Sequence, residues 1–147
     1  MNCYLCTPQY IHNMHTFPIQ IRFNDIDPLG HVNNVMYGHY FDIARYNFMV
    51  QKLEGLVDLR FSRCIFIVVR TENDFLRPSF LEDRLHVETS LLRVGNKSIH
   101  IQQSVVDENG IIRAKCLSVM AAYDKETGKS FEIPPEWREA LEEVHLR

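Results

Sequence analysis

The feature that most constrains the fold is a nearly unbroken apolar and aromatic segment that runs from Val35 to Leu53. It contains no proline, and its apolar residues go right round a helical wheel. A helix that is apolar on nearly every side must be buried on nearly every side. Asp42, Arg45 and Asn47 interrupt the segment too often for a membrane span. The sequence therefore predicts a long central helix with other parts of the protein wrapped around it.

Five other segments have the alternation, or the content of β-branched and aromatic residues, that is typical of strands. They are residues 17–23, 64–76, 84–94, 97–106 and 111–124. Gly95-Asn96 and Asn109-Gly110 supply turns between successive strands. Two prolines followed by good helix formers predict a short terminal helix within residues 134–144. This order predicts an α+β fold, in which one five-stranded antiparallel sheet curls around one long helix.

Composition and charge narrow the class of protein. A chain of 147 residues, 46% of them hydrophobic, fits one domain with a core of its own. The formal net charge is only -3 and no basic run occurs, so we expect no nucleic-acid partner. We find no secretory signal and expect no membrane partner. The four cysteines do not form the pattern of a disulfide framework, so we expect a cytoplasmic location.

The amino terminus carries two cysteines and two histidines whose side chains are possible zinc ligands. They are Cys3, Cys6, His12 and His15. The spacing is too short for a familiar zinc finger, and no apolar sequence surrounds it. We therefore expect a flexible extension over residues 1–16, a folded domain over residues 17–147, no metal site and no cofactor.

The turn before the helix carries the clearest motif. It reads Asp25-Ile26-Asp27-Pro28-Leu29-Gly30 and continues as His31-Val32-Asn33-Asn34. This turn resembles the hotdog-fold thioesterases, in particular the 4-hydroxybenzoyl-CoA thioesterase branch, whose helix entry reads Asp-x-Asp-x-x-Gly. A second similar element is the segment of residues 77–89, where Pro78 breaks the long strand. The resemblance extends over roughly residues 17–123 by element order, and it implies hydrolysis of an acyl thioester.

The resemblance also implies which residues carry the chemistry. Asp27 would attack the thioester carbonyl as a nucleophile or activate a water as a general base. The backbone amide of Asn34 would bind the carbonyl oxygen, because N–H groups in the first turn of a helix are unpaired. Gly30 would let the backbone turn closely. His31 is a weaker candidate, because Leu29 stands where plant acyl-carrier-protein thioesterases have an Asn; bonding within the turn is its alternative role.

Some polar residues of the same segment have a structural interpretation. Asp25 precedes the turn and is read as a turn former or cap. Asn33 and Asn34 are read as helix caps through their side chains.

The resemblance specifies less closely which residues contact the CoA nucleotide and which contact the acyl group. In the resembled branch, a basic cluster on the hairpin between the third and fourth strands contacts the nucleotide phosphates of CoA. Lys97 matches this cluster and Arg93 is near it, whereas Gly95 and Asn96 replace two basic positions. Acyl carrier protein therefore remains an alternative carrier. Three residues are candidates for the wall that binds the acyl group: Phe41, Val69 and Thr71.

Two other functions of the same fold stay open, a dehydratase or hydratase of acyl thioesters and a non-catalytic acyl-thioester binding protein. Dehydratases of this fold pair a His with an acid at other positions, and a binding protein has little need of Asp27 at the helix start. A sheet with an unpaired edge normally has that edge covered, and the resembled family joins two sheets edge to edge. We therefore expect a homodimer or homotetramer.

Overall fold

The structure is a computed structural model and describes residues 14–143. Two helices and six strands follow one another along this part of the chain. They are β1 (His15–Ile19), α1 (Asn34–Lys52), β2 (Cys64–Phe75), β3 (Leu85–Val94), β4 (Ser98–Asp107), β5 (Ile112–Asp124), β6 (Lys129–Ser130) and α2 (Pro135–Glu142). Cys3, Cys6 and His12, which were considered as zinc ligands, lie outside the described residues.

All strands belong to one antiparallel sheet with the order β1-β3-β4-β5-β2, and the short β6 pairs with β5. The expected α+β architecture is therefore confirmed, with β6 as an additional short strand. Chain order alone would place β2 beside β3. Instead the chain crosses after α1 to the far side of the sheet, where β2 pairs only with β5 and leaves its other edge open.

The first strand lies earlier in the sequence than expected. It begins at His15 rather than Phe17, and His15 is tied to the central helix because its Nε2 lies 2.8 Å from Asn47 Oδ1. The strand ends at Ile19, since residues Phe23–Asp25 form a single 3-10 turn instead of extended chain. Residues 15 and 16 thus belong to the sheet.

The central helix α1 begins directly after Asn33, whose side chain caps it. The side chain of Asn33 accepts the N–H of Val35 at 3.0 Å, as expected for a cap. One side of the helix then packs on the sheet through residues spaced by three or four positions. These are Tyr37, Phe41, Ala44 and Phe48, each at most 4% exposed.

The expectation that α1 is buried on nearly every side is wrong within one chain. The side that faces away from the sheet is mostly apolar and is exposed: Val35 by 65%, Ile43 by 47%, Tyr46 by 43% and Val50 by 38%, with the exposed His39 and Asp42 among them. The reason is geometric, because one curled sheet covers only one side of a helix. The remaining apolar surface is left for a second partner surface.

The core has two parts along α1. Near the start of the helix, Tyr37 and Phe41 pack with Val87 and Val105 of the sheet. Near its end, Phe48 packs in a cluster that includes Trp137 and Leu141 of α2, so α2 closes that end of the domain. Within residues 14–143, no helix is long and apolar enough to cross a membrane.

Candidate active site

The acidic turn forms a closed loop directly before α1. Ile26 and Val32 pair as an isolated β-bridge, and the N–H of Asp27 donates to the carbonyl of His31 at 3.0 Å. The N–H of Gly30 donates back to the carbonyl of Asp27 at 2.9 Å. Gly30 has φ +87°, a conformation that residues with a side chain rarely adopt. The sequence therefore needs glycine at this position for the turn to close.

Asp27 is oriented by the turn, but one of its two oxygens stays available. Its Oδ1 accepts the N–H of Leu29 at 2.9 Å, which is the local bond of a turn-forming aspartate. Its Oδ2 lies 4.0 Å from His31 Nδ1, and the carboxylate side chain is 15% exposed. The turn-forming role and a catalytic role are thus compatible in the same residue.

His31 is placed beside Asp27 rather than aimed away from the turn. Its Nδ1 lies 3.3 Å from the carbonyl oxygen of Val32 and 4.0 Å from Asp27 Oδ2. The ring is thus held within the turn, in keeping with the structural alternative. The longer of these two distances is beyond a hydrogen bond.

The N-terminus of α1, which directly follows this turn, offers an unpaired backbone donor. The Asn33 side chain occupies the N–H of Val35, and the N–H of Asn33 donates to the carbonyl of Asp25 at 2.8 Å. Among the residues that the structure describes, the N–H of Asn34 between them has no hydrogen-bond acceptor. It carries the positive end of the helix dipole, so it is suited to bind a carbonyl oxygen that gains negative charge.

Asp25 anchors the turn to the helix. It is fully buried, and its Oδ2 accepts both the Tyr40 hydroxyl at 2.7 Å and the N–H of Arg22 at 2.9 Å. Burial alone would raise the pKa of this carboxyl, but the hydrogen bonds from Arg22 and Tyr40 and the Arg22 charge leave it lowered. Burial and the Asp25 contact raise the pKa of Tyr40. The structural role expected for Asp25 fits this geometry, whereas Tyr40 as its partner was not predicted.

A loop from the second similar element fixes the other side of the turn. The N–H of Val32 donates to the carbonyl of Ser79 at 2.8 Å, and the Tyr37 hydroxyl donates to Ser79 Oγ at 2.9 Å. Arg113 holds this loop by an ion pair with Asp83 at 3.3 Å and a bond to the carbonyl of Pro78. Ser79 was missed by the sequence reasoning, although the segment that contains it was recognised.

The other predicted residues lie away from the turn. Phe41 is 1% exposed and belongs to the core, so its side chain forms no open wall in one chain. Val69 and Thr71 lie on the exposed part of edge strand β2, with Val69 57% exposed. They are available to a partner surface rather than gathered around Asp27.

The two basic candidates lie at the opposite end of the sheet. Lys97 and Arg93 are exposed at the β3–β4 hairpin, which α2 braces through Arg138 bonds to the carbonyls of Val94 and Gly95. The acidic turn follows β1 at the Leu85 end of β3. Ten residues of strand span about 30 Å, so one chain does not bring Lys97 to Asp27.

Cavities lie along α1. A groove of about 620 Å³ lies between β1 and the outer side of the helix, with Ile43 and Tyr46 in its wall. A smaller cavity of about 210 Å³ lies between α1 and strands β2 and β5. Asp27 lines neither of these cavities, and the turn residues Pro28, Leu29 and Gly30 beside it are exposed. Enclosure of a substrate there requires a second surface.

One antiparallel sheet wrapped around a central helix, with an acidic turn at the helix start, defines the hotdog class of acyl-thioester proteins. The model of the Thioesterase-like superfamily matches residues 21–141, and the chain belongs to this family. The expected hotdog fold and thioesterase class are thereby confirmed.

Individual relatives agree with this family. The chain is 26% identical over 127 residues to the long-chain acyl-CoA thioesterase FadM of Escherichia coli, covering 86% of this chain and 96% of FadM. A predicted thioesterase from Bacillus stearothermophilus superposes with a TM-score of 0.80 at 26% identity, covering 90% of this chain and 96% of that one. A thioesterase from Thermus thermophilus, solved with coenzyme A and Zn, has a TM-score of 0.75 at 31% identity. The match covers 86% of this chain and 95% of that one.

Proposed function

We propose that the protein hydrolyses the thioester of an acyl-CoA to a free acid and CoA. The observation that carries the proposal is a fixed carboxylate, Asp27, in the turn that leads directly into α1, where the N–H of Asn34 is unpaired. Thioester hydrolysis needs an attacking or activating base and a donor for the developing oxyanion, and these two groups supply both. The names of the relatives, which include acyl-CoA thioesterases, support the same reaction.

The roles within the site follow from the hydrogen bonds. Asp27 Oδ1 is occupied by the N–H of Leu29, so Oδ2 is the oxygen that attacks the carbonyl carbon or takes a proton from water. The carbonyl oxygen binds the N–H of Asn34. Gly30 holds the turn closed, the N–H of Leu29 positions the carboxylate, and His31 has a structural role within the turn.

CoA is preferred over acyl carrier protein as the carrier. The support for CoA comes from the relatives, which are named as acyl-CoA thioesterases. The hairpin itself gives weaker support, because Lys97 and Arg93 are its only exposed cations among the described residues. Because this hairpin is remote from Asp27 in one chain, any phosphate contact by Lys97 would serve a site to which another chain contributes. A cytoplasmic location is part of the proposal, and the free thiols of Cys64 and Cys116 are consistent with it.

The working unit is proposed to be a dimer at least, in which two copies join along β2. Strand β2 has an unpaired edge, and from Val68 to Phe75 every residue is exposed on both faces. The outward apolar side of α1 is a second surface without a partner in one chain. An exposed edge of this length with apolar residues invites pairing with another strand. Val69 and Thr71 would then lie near the acyl group in an interface pocket.

The test is steady-state release of free thiol from a panel of acyl-CoAs by wild type and Asp27→Asn. Loss of the base is expected to lower kcat by about 100- to 10,000-fold with the fold intact. Asp58→Asn is a matched control, because Asp58 also accepts the N–H of the residue two positions on, Arg60, at 3.0 Å, but lies after α1. Near wild-type turnover by folded Asp27→Asn would refute the assigned role.

A single turnover in ¹⁸O-labelled water separates the two possible roles of Asp27. If Asp27 is a general base, the label enters the product acid in the first turnover. If Asp27 is the nucleophile, its carboxylate attacks the acyl carbonyl, the C–S bond breaks, CoA leaves as the thiolate and an anhydride remains. Water attack at the Asp27 carbonyl of this anhydride then leaves label on Asp27, and label found on Asp27 identifies it as the nucleophile.

A further inference from the structure

The central helix buries a guanidinium with an unused donor. Arg45 is 3% exposed, and its Nη2 donates to Asp42 Oδ1 at 2.8 Å. Its Nη1 is also buried, and among residues 14–143 it has no hydrogen-bond partner. A buried donor without a partner is unfavourable, and more so on a charged group. An acceptor supplied from outside the chain would remove this penalty.

Arg45 lines the cavity of about 210 Å³ between α1 and the strands β2 and β5. The other walls are mostly apolar, with Met49, Phe66 and Met120 among them. Ser118 occupies the next inward position along β5 from Met120, and its hydroxyl is also buried without a partner. The cavity is therefore a mostly apolar chamber with the buried Arg45 in its wall, and Ser118 lies one inward position along β5 from the wall residue Met120.

The chamber lies beneath a stripe of α1 that begins at Asn34, the residue whose backbone N–H is the proposed oxyanion donor. Asn34, Gly38, Arg45 and Met49 follow one another along one stripe of the helix at spacings of about four and seven residues. A side chain on Gly38 would meet no atom within 4 Å, so the helix surface is open there. Eleven residues of helix separate Asn34 from Arg45 and rise about 16 Å, a length that an extended chain of roughly a dozen carbons spans.

The charge state of Arg45 decides which acceptor fits. Asp42 already neutralises the guanidinium, and a second carboxylate at Arg45 would face the first one at short range. A neutral oxygen meets no such repulsion and still satisfies Nη1. A hydroxyl can in addition donate to the oxygen of Ser118.

Resting on the proposed acyl-CoA hydrolysis, we propose that the preferred acyl group is a medium to long chain with a neutral oxygen near its far end. A hydroxyl or keto group about a dozen carbons from the thioester is recognised by Arg45 and Ser118. The remaining chain lies along α1 past Gly38. The chemistry recognised is thus an oxygenated fatty acyl group rather than a fully apolar one.

The experiment compares kcat and KM for 12-hydroxydodecanoyl-CoA and dodecanoyl-CoA. Wild type is expected to favour the hydroxylated substrate by about tenfold or more in kcat/KM, because an apolar analogue leaves the buried polar groups unpaired. The difference should lie in KM, since the contact is remote from the reacting bond and is made equally in the ground and transition states. A second substrate, 3-hydroxydodecanoyl-CoA, should show no such gain because its hydroxyl lies beside the thioester.

Arg45→Met and Ser118→Ala test the assigned residues. Both variants are expected to bring the ratio between the two main substrates close to one. Ser118→Ala removes a single oxygen, so it keeps the test decisive if Arg45→Met does not fold. Equal kcat/KM for both substrates in wild type, as a water bound at Arg45 would produce, overturns the proposal. A ratio unchanged by either folded variant also overturns it.

Failure of the proposed function has a different signature. Folded wild type that releases no thiol from any acyl-CoA overturns both proposals together. Hydrolysis of dodecanoyl-CoA without preference for the hydroxylated chain leaves acyl-CoA hydrolysis standing and overturns only the recognition by Arg45.

Discussion

Tyr40→Phe is expected to lower the free energy of unfolding by about 2 kcal/mol near neutral pH. The change removes one hydroxyl that donates to Asp25 Oδ2 at 2.7 Å, where both residues are buried. A hydrogen bond to a charged group contributes about 1.5–3 kcal/mol. Asp25 keeps the N–H of Arg22 at 2.9 Å and the Arg22 guanidinium at 3.3 Å, so the carboxylate is not orphaned. The loss of unfolding free energy is therefore expected within about 1.5–3 kcal/mol and not above it.

The pH dependence of this effect has a definite sign. The pKa of Asp25 is lowered from its ordinary value of 3.8 in the folded protein. A lowered pKa contributes stability that is present above the ordinary value and is lost as pH falls through the folded value. The stability difference between wild type and Tyr40→Phe should therefore be constant from about pH 5 to 8 and shrink below about pH 4.

The measurement is urea unfolding followed by circular dichroism at pH 7 and again in acid. Tyr46→Phe is the matched control, because Tyr46 lies on the same helix, is 43% exposed and has no hydrogen-bond partner for its hydroxyl among the described residues. The control should change stability by less than about 0.5 kcal/mol. Equal stability of the two variants at pH 7 would refute the reasoning. Because Asp25 anchors the turn, kcat/KM should also fall in Tyr40→Phe.

Three further predictions concern the turn, the edge strand and the amino terminus. Gly30→Ala should lower both melting temperature and kcat/KM, since φ +87° destabilises a residue with a side chain by roughly 1–2 kcal/mol; unchanged values would contradict it. Val68→Lys on the exposed part of β2 should yield an inactive monomer in light scattering at assay concentration, and an active monomer would disprove the dimer. Deletion of residues 1–13 should leave the melting temperature and the rate of thiol release unchanged. The prediction is wrong if purified wild type contains stoichiometric zinc and Cys3→Ser loses both the zinc and stability.

The acidic turn and the helix start were predictable because their interactions are local. The side chains of Asp27 and Asn33 each accept the N–H of the residue two positions later in the chain. Gly30 is required by its own positive φ. Such short-range bonds depend on the order of residue types alone. The same holds for the hairpin at Gly95 and for the turn at Gly110.

The partners of these local elements were not predictable. Tyr40 reaches Asp25 across 15 residues, and Tyr37 reaches Ser79 across 42. Only the packing of α1 on the sheet brings those hydroxyls to the turn. The burial of Arg45 beside a mostly apolar cavity has the same origin, since in the sequence Arg45 reads as an interruption of an apolar helix.

The sequence by itself determined the element types, the position of the acidic turn and the presence of one long apolar helix. Tertiary structure decided that β2 lies at the far edge beside β5, that Phe41 is core, and that Lys97 is about 30 Å from the Asp27 end of the sheet. The physical reason is that hydrophobic periodicity reports which side of an element avoids water, but not which surface covers it. That choice depends on contacts between residues far apart in the chain, and for the outward side of α1 it depends on a surface that one chain does not supply.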